Sequence, residues 1–247
     1  MKKIIIIGAS KGLGQAAAIW FSKLDYKIAL LSRSHLNLEK VRKKCKNSKL
    51  HISLEINLLD ISTIKKSINR AIKFLNGVDV VLHAAGGGLG LKENLISAND
   101  FLKLLNLNIL SAVEINRLII PKMKKGNIIH VGSIASYESV GSVGYNSAKA
   151  TITAYVKTLG RELSKKNIIM TGILPGGFMA PENAMHRLKK NNKKAFNDFI
   201  KNRLPRKKMG NTNEIMPIIE FLASKNAGMM SGCLIPMDGG EGKSYNT

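Results

Sequence analysis

The chain has 247 residues, of which 45% are hydrophobic and 22% are charged. This is close to the average composition of globular domains, and it excludes a disordered, collagen-like or coiled-coil chain. Charge is the unusual feature, because 39 Lys and Arg residues face 16 Asp and Glu residues, a formal net charge of +23. The basic residues are spread along the chain and only 5% of residues are aromatic. Single-strand nucleic-acid binders interleave aromatic and basic residues, so we expect no nucleic-acid partner.

The cysteines and the apolar runs bear on location. Cys45 and Cys233 cannot form a disulfide framework and lack zinc-site spacing, so a reducing cytoplasm is expected and no metal is predicted. The apolar run that follows Met1 stops at Gly8, which is too short for a signal peptide. No run approaches the roughly 18 apolar residues of a membrane span. We therefore expect a soluble cytoplasmic protein without a membrane partner.

Short apolar runs that alternate with longer helical patterns predict the fold. The runs are nearly continuous, as in parallel strands covered on both faces. The predicted strands cover residues 3–7, 27–31, 50–56, 78–82, 127–131, 168–174 and 234–237. The predicted helices between them cover residues 14–24, 62–75, 101–123, 143–163 and 213–223. The alternation predicts a single α/β domain over residues 1–247, a doubly wound parallel sheet of about seven strands with its ligand crevice at their carboxyl ends.

Residues 176–210 interrupt this alternation. The segment is long, rich in Lys and Arg, and contains Pro181 and Pro205. A loop-rich insertion of this length after a strand is more often functional than a simple connection. We predict that it is a substrate lid.

A glycine-rich loop follows the first predicted strand and leads into a helix. Glycines let the backbone turn tightly and approach a pyrophosphate, and the helix N-terminus offers free N–H groups. The spacing is G-x-x-x-G-x-G, and the order strand, loop, helix favours dinucleotide binding over a turn without a ligand. The predicted binding residues are Gly8, Ser10, Lys11, Gly12, Leu13 and Gly14.

The end of the second strand indicates which dinucleotide is bound. NAD-specific folds usually place an acidic residue here, whereas an Arg accommodates the 2′-phosphate of NADP. The chain has Ser32 followed by Arg33, and Lys11 adds a second positive charge. The cofactor is therefore predicted to be NADP(H), with NAD(H) as the alternative.

Tyr145 and Lys149 begin a long helical pattern after the fifth strand. A spacing of four residues places both on one helical face, where the ammonium favours the phenolate. Tyr145 would then exchange protons near neutral pH, which a free phenol with a pKa of about 10 does poorly. Ser133, at the end of the same strand, would lie in the same crevice.

These motifs, taken together, are similar to those of the short-chain dehydrogenase/reductase family, and the resemblance covers essentially the whole chain. It rests on the motifs Gly8-x-x-x-Gly12-x-Gly14, His83-Ala84-Ala85-Gly86, Asn108, Ser133, Tyr145/Lys149, Pro175-Gly176 and Asp238-Gly239-Gly240, which occur in the family's order. The resemblance implies a Rossmann-type fold and hydride transfer with a nicotinamide cofactor.

The resemblance also implies roles for four residues. Tyr145 corresponds to the general acid/base that protonates a carbonyl or deprotonates an alcohol. Lys149 would hold the nicotinamide ribose and lower the pKa of Tyr145, and Ser133 would bind the substrate oxygen. Asn108 would position a water molecule for proton relay.

The remaining cofactor contacts that the resemblance implies are Asn57, Leu58, Ala85, Gly86, Pro175 and Gly176, with Asn57 at the adenine. The chain departs from the family at two places. The usual Asn-Asn-Ala-Gly begins with His83-Ala84, and we expect His83 to be a structural histidine at the end of a buried strand. The Thr that commonly follows Pro175-Gly176 is missing, which puts the usual anchoring of the nicotinamide in doubt.

The substrate is predicted to be a small keto or hydroxy compound, anionic or carrier-bound. The resemblance is to 3-oxoacyl-carrier-protein reductases in the C-terminal pattern, whereas the loops at Gly86 and Gly176 are closer to relatives that act on carbohydrate or surface-polysaccharide intermediates.

A non-catalytic NADP-binding or nucleic-acid-binding protein is the alternative from a different class, although Ser133, Tyr145 and Lys149 favour an enzyme. Relatives usually assemble as tetramers, so a homotetramer or homodimer is expected.

Overall fold

The structure is a computed structural model that describes residues 1–244. Its strands, in chain order, are β1 (Lys3–Ile7), β2 (Lys27–Ser32), β3 (Ile52–Glu55), β4 (Val80–His83), β5 (Gly126–Val131), β6 (Ile168–Pro175), β7 (Phe178–Met179), β8 (Gly210–Asn211) and β9 (Leu234–Met237). Seven of them form one parallel sheet in the order β3-β2-β1-β4-β5-β6-β9. The predicted doubly wound sheet of about seven strands is confirmed.

The helices cover both faces of this sheet. They are α1 (Gly12–Lys23), α2 (His35–Arg42), α3 (Ile64–Leu75), α4 (Ala98–Leu105), α5 (Ser111–Ile119), α6 (Val143–Ser164), α7 (Ala184–Asn191), α8 (Lys193–Arg203) and α9 (Thr212–Leu222). Buried residues of α1, α2 and α9 pack on one face of the sheet, and those of α3, α5 and α6 pack on the other. Ile4 and Ile6 of β1 belong to the first core and Ile5 and Ile7 to the second, because successive side chains of a strand point to opposite faces.

The helical stretch Ala98–Lys122 is long and apolar enough, by length and composition alone, to cross a membrane. It contains no uninterrupted run of about 18 apolar residues, because Asn and charged residues lie between the apolar ones. Core helices meet the same criterion, and Leu104, Ile115 and Ile119 of this stretch are fully buried in the fold.

The segment 176–210 is not loop-rich as predicted but contains β7, β8, α7 and α8. The side chains of Asn183 and Asn192 begin its two helices by accepting hydrogen bonds from the backbone N–H groups of His186 and Ala195. We call residues 176–210 the lid. Its Pro181 carbonyl accepts a hydrogen bond from the backbone N–H of Gly12 at 2.7 Å, so the lid contacts the glycine-rich loop.

The order of the strands determines where a crevice opens. The chain runs outward from β1 to β3 in one direction and from β4 to β6 in the other. The crevice of such a sheet lies outside the carboxyl ends of the strands, at the point where the order reverses. The glycine-rich loop after β1 and the turn after β4 therefore lie side by side at this point.

Candidate active site

The glycine-rich loop is packed too closely for side chains at two positions. Gly8 has a φ of +85°, and a Cβ placed on it would lie 2.7 Å from the Ala85 nitrogen. A Cβ on Gly14 would lie 2.3 Å from the Gly8 carbonyl oxygen, so the start of α1 contacts the end of β1 directly. This leaves the N-terminal turn of α1, which includes Leu13, at the crevice with Ser10 half-buried beside it.

Two basic residues are predicted to select the cofactor: Arg33, directly after β2, and Lys11, in the glycine-rich loop. Arg33 and Lys11 are exposed, and neither forms an ion pair within residues 1–244. The buried Ser32 hydroxyl has no hydrogen-bond partner in that same range. At the end of β3, Asn57 is exposed and its side-chain oxygen accepts a hydrogen bond from Leu59, while Leu58 is buried. Both basic side chains are therefore free to bind a phosphate.

Asn108 lies in a π-helical turn (Asn106–Leu110) between α4 and α5. Such turns frequently occur at functional sites. The Asn108 amide donates to the carbonyls of Gly87 and Leu104, at 3.0 and 2.9 Å, and accepts from the Gly87 N–H at 3.0 Å. A Cβ on Gly86 would lie 2.9 Å from both Asn108 Oδ1 and Lys149 Nζ. The turn after β4 thus runs directly over Asn108 and Lys149.

Tyr145 and Ser133 meet at the carboxyl end of β5. The Ser133 side chain lowers the pKa of Tyr145, but burial has the larger effect and raises this pKa above its usual value of 10.0. The next turn brings Gly88 against the same tyrosine, since a Cβ on Gly88 would lie 3.8 Å from Tyr145 Cβ. The phenol is therefore protonated at neutral pH.

Lys149 lies near Tyr145 and binds the backbone of β5. Its Nζ donates to the Val131 carbonyl at 3.0 Å and lies 5.8 Å from the centre of the Tyr145 ring. Burial lowers the pKa of Lys149 itself from 10.5 to about 8, because no carboxylate compensates its charge. Burial outweighs the lowering of the Tyr145 pKa that the resemblance implies for this lysine.

Pro175 ends β6, and Gly176 follows at the base of the lid. Glu241 also lies here, and no sequence motif predicted it. Its buried carboxylate accepts a hydrogen bond from the Gly177 N–H at 2.6 Å and pairs with Arg203 of α8 at 3.1 Å. A Cβ on Gly176 would lie 2.6 Å from this carboxylate, so only glycine fits beside it.

His83 is buried under the site, as expected of a structural histidine. It stacks on His130 of β5 with 4.4 Å between the ring centres, and its Nε2 is 2.9 Å from the side-chain oxygen of Asn116. His130 and Asn116 were missed, although the register pairs His130 directly with His83 across β4 and β5. The sequence signal that could have indicated this contact is a histidine near the end of each of two strands that pair in the sheet.

Comparison with known proteins agrees with this arrangement. A family model described as short chain dehydrogenase matches residues 2–192. The 3-oxoacyl-[acyl-carrier-protein] reductase of Thermotoga maritima is 25% identical over 244 residues, which cover 97% of each chain. The glucose 1-dehydrogenase of Gluconobacter oxydans is 26% identical over 246 residues, which cover 97% of this chain and 91% of that protein.

A solved crystal structure has a similar fold over nearly the whole chain. The crystal structure of L-sorbose reductase from Gluconobacter frateurii, complexed with NADPH and L-sorbose, superposes with a TM-score of 0.90 at 25% identity. The match covers 99% of this chain and 97% of the reductase.

Proposed function

This chain belongs to the short-chain dehydrogenase family of oxidoreductases, and we propose that it transfers hydride between NADP(H) and a small keto or hydroxy substrate. The observation that carries the proposal is the position of Tyr145 at the turn after β4, beside a serine hydroxyl, Ser133, that lowers its pKa. Lys149 and Asn108 lie beside the same turn, at Gly86. Two hydroxyls and a buried cation at one strand end suit a reaction in which a carbonyl oxygen gains or loses a proton.

Each site residue has a separate role in the proposed reduction of a carbonyl group. A bound nicotinamide supplies the hydride. Ser133 hydrogen-bonds the substrate oxygen and orients it, and Tyr145 donates its phenolic proton to that oxygen. Because burial raises the pKa of Tyr145, the phenol keeps its proton at neutral pH and can donate it to the substrate oxygen. Lys149 is placed to bind the ribose hydroxyls, and Asn108 holds the backbone of Gly87 in place.

The glycine-rich loop fits a dinucleotide, since two of its glycines leave no room for a Cβ. We assign the pyrophosphate to the loop and the N-terminal turn of α1. Arg33 and Lys11 support NADP(H) over NAD(H), because both cations are unpaired within residues 1–244 and position 32 has no carboxylate to repel a phosphate. The other residues proposed to hold the cofactor are Asn57, Leu58, Ala85, Pro175 and Gly176.

The surface of the lid supports an anionic substrate. Its helices α7 and α8 carry the exposed basic residues Arg187, Lys189, Lys190, Lys193 and Lys194. A surface of one sign of charge attracts the opposite sign and binds phosphate or carboxylate groups. An acyl group on an acidic carrier protein and a phosphorylated or nucleotide-linked sugar both fit, and we propose a single-domain enzyme that acts on such a substrate as a homotetramer or homodimer.

The test is Tyr145→Phe, assayed against 3-oxoacyl thioesters, keto sugars and sugar phosphates with NADPH and NADH in parallel. We expect turnover to fall by about 100-fold or more, because the proton donor is lost, while NADPH binding by fluorescence titration stays within about twofold. Tyr26→Phe is the matched control, a buried tyrosine on the other face of the sheet. Unchanged turnover in Tyr145→Phe would overturn the mechanism, and tighter binding of NADH than NADPH would overturn the cofactor assignment.

A further inference from the structure

Three buried polar side chains and one partly buried tyrosine form a hydrogen-bonded cluster beneath the candidate active site, and the side-chain amide of Asn116 is its centre. We call His83, Asn116, His130 and Tyr155 the amide cluster. The Asn116 oxygen is 2.9 Å from His83 Nε2, and its nitrogen is 3.3 Å from His130 Nε2 and 3.2 Å from the Tyr155 hydroxyl. Asn116 has no exposed surface. One amide thus binds two buried histidines and a partly buried tyrosine at once.

The hydrogen bonds define the protonation of the cluster. The Asn116 oxygen only accepts, so His83 carries its proton on Nε2, and the Asn116 nitrogen only donates, so Nε2 of His130 is unprotonated. Burial agrees with two neutral rings, because it lowers the pKa of His83 to about 4 and that of His130 well below 6.5. The amide cluster is therefore a fixed set of donors and acceptors at neutral pH.

Each strand in the cluster leads directly into the site. His83 is the last residue of β4, and the turn over Asn108 and Lys149 follows it. His130 precedes Val131 on β5, and the Val131 carbonyl binds Lys149 Nζ. A shift of either strand end would move a group that contacts the lysine.

Both helices in the cluster also carry site residues. Tyr155 is on α6, which begins with Tyr145 and Lys149, and Asn116 is on α5, which continues from the π-helical turn of Asn108. A small cavity lies between the cluster and the site, and its lining includes Asn108 from the site and His83 and His130 from the cluster.

We propose that Asn116 is a positioning residue for hydride transfer, because its amide ties β4, β5 and α6 together at the depth where each enters the active site. The inference rests on the proposed function. A leucine of similar size would fill the space but could not hold the three elements in one register, since packing lacks the directionality of hydrogen bonds. It would also leave the His83 N–H without its acceptor.

The experiment compares Asn116→Leu with Asn127→Leu. Asn127 is buried like Asn116, but it lies on β5 at the end of the strand away from the active site. There it donates hydrogen bonds to the carbonyls of Leu222 and Ser224. We expect Asn116→Leu to lower kcat by about 10- to 100-fold, as small misplacements of reacting groups do, with KM and the NADPH dissociation constant within about threefold. Asn127→Leu should keep kcat within about twofold at a comparable loss of melting temperature.

A crystal structure of Asn116→Leu gives a readout that needs no turnover. We expect the distance from Lys149 Nζ to the Val131 carbonyl, 3.0 Å in the wild type, to exceed about 3.6 Å, at which no hydrogen bond remains. An unchanged distance, or equal loss of kcat in both leucine variants, would overturn the proposal. If Asn116→Leu does not fold, Asn116→Ser is measured with the same expectations. A wild type without turnover on any substrate would contradict the proposed function, whereas the distance would still decide the role of Asn116.

Discussion

Lys149 is the residue at which stability and function conflict. Its side chain is buried, its ammonium has one hydrogen-bond partner within residues 1–244, the Val131 carbonyl, and burial lowers its pKa to about 8. An ammonium group without a carboxylate partner loses its hydration on burial, and this destabilises the folded state. We infer that this lysine is retained because it binds a pair of ribose hydroxyls in the proposed enzyme. The free energy lost on burying its charge is offset by the apolar packing of the rest of the core.

Replacing this lysine should therefore stabilise the protein. A pKa lowered from 10.5 to about 8 corresponds to at most about 3 kcal/mol, so we expect Lys149→Met to raise the free energy of unfolding at pH 7 by about 2 kcal/mol and to abolish turnover. Urea unfolding measures the gain. Below pH 8 the lysine is charged in both states, and above it the folded state deprotonates first, so the advantage of Lys149→Met should shrink between pH 8 and pH 10.

The matched control is Lys157→Met on the same helix, where the side chain is exposed and the expected change is within about 0.5 kcal/mol. A loss of stability in Lys149→Met larger than in Lys157→Met would contradict this account.

At the residue scale, the site residues that lie in short sequence motifs could be predicted. The residues whose role depends on contacts with distant parts of the chain could not. Gly14 and Tyr145 lie in short motifs, and their positions after β1 and β5 agree with the structure. Asn116 and Glu241 lie in no motif, because their partners are far away in the chain and meet them only in the folded sheet. The lowered pKa of Lys149 was also missed, since burial has no local signature.

The lid is the element whose attachment can be tested most directly. Its base is held by Glu241 of the C-terminal segment, which binds the Gly177 backbone at one end of the lid and Arg203 near the other. Phe199 packs under the Arg203 guanidinium, with 5.3 Å from the ring centre to its central carbon. One buried carboxylate thus joins both ends of the segment that would cover the substrate.

We expect Glu241→Ala to loosen the lid. The variant removes a charged hydrogen bond and an ion pair, so trypsin should cleave in the Lys-rich lid several-fold faster, and substrate KM should rise more than NADPH affinity falls. Mass spectrometry of the digest locates the cleavage. Glu162→Ala, which removes an exposed ion pair with Lys165 on α6, is the control. Equal cleavage rates for the wild type and Glu241→Ala would show that the lid is held by other contacts.

At the element scale, the predicted strands and long helices agree with the structure within a few residues, because each carries a long apolar pattern. Helices α2, α7 and α8 were missed. Their buried residues are few, Leu38 and Val41 in α2 and Phe196 in α8, so the apolar periodicity that marks a helix is too weak to detect. Their capping residues Ser34, Asn183 and Asn192 were the stronger signal.

The whole molecule combines a very basic surface with a core that keeps its histidines neutral. His51, His83 and His130 are all buried, and burial lowers the pKa of each below 6.5. The unfolded chain takes up protons at these residues near pH 6.5, whereas the folded chain resists them, for His83 until about pH 4. With a net charge of +23, the molecule has little acidic surface to compensate further positive charge.

Stability should therefore be lost on mild acidification. We expect the free energy of unfolding to be constant above about pH 7 with respect to these residues and to fall between pH 6.5 and pH 5, by up to about 1.4 kcal/mol per pH unit for each fully buried histidine. Carboxylates with a lowered pKa, such as Glu39 at about 2, stay ionised in this window and do not contribute. Urea unfolding at intervals of half a pH unit measures the slope.

The histidine origin of this slope has its own test. His130→Phe keeps a ring against His83 and Tyr155 but removes the titrating nitrogen, so it should reduce the slope by about one histidine's share, up to about 1.4 kcal/mol per pH unit. His186→Asn, at an exposed position on α7, should leave the slope unchanged. Because both variants fold around the same sheet, a slope that is the same in His130→Phe and the wild type would place the acid sensitivity in the surface charge rather than in the core.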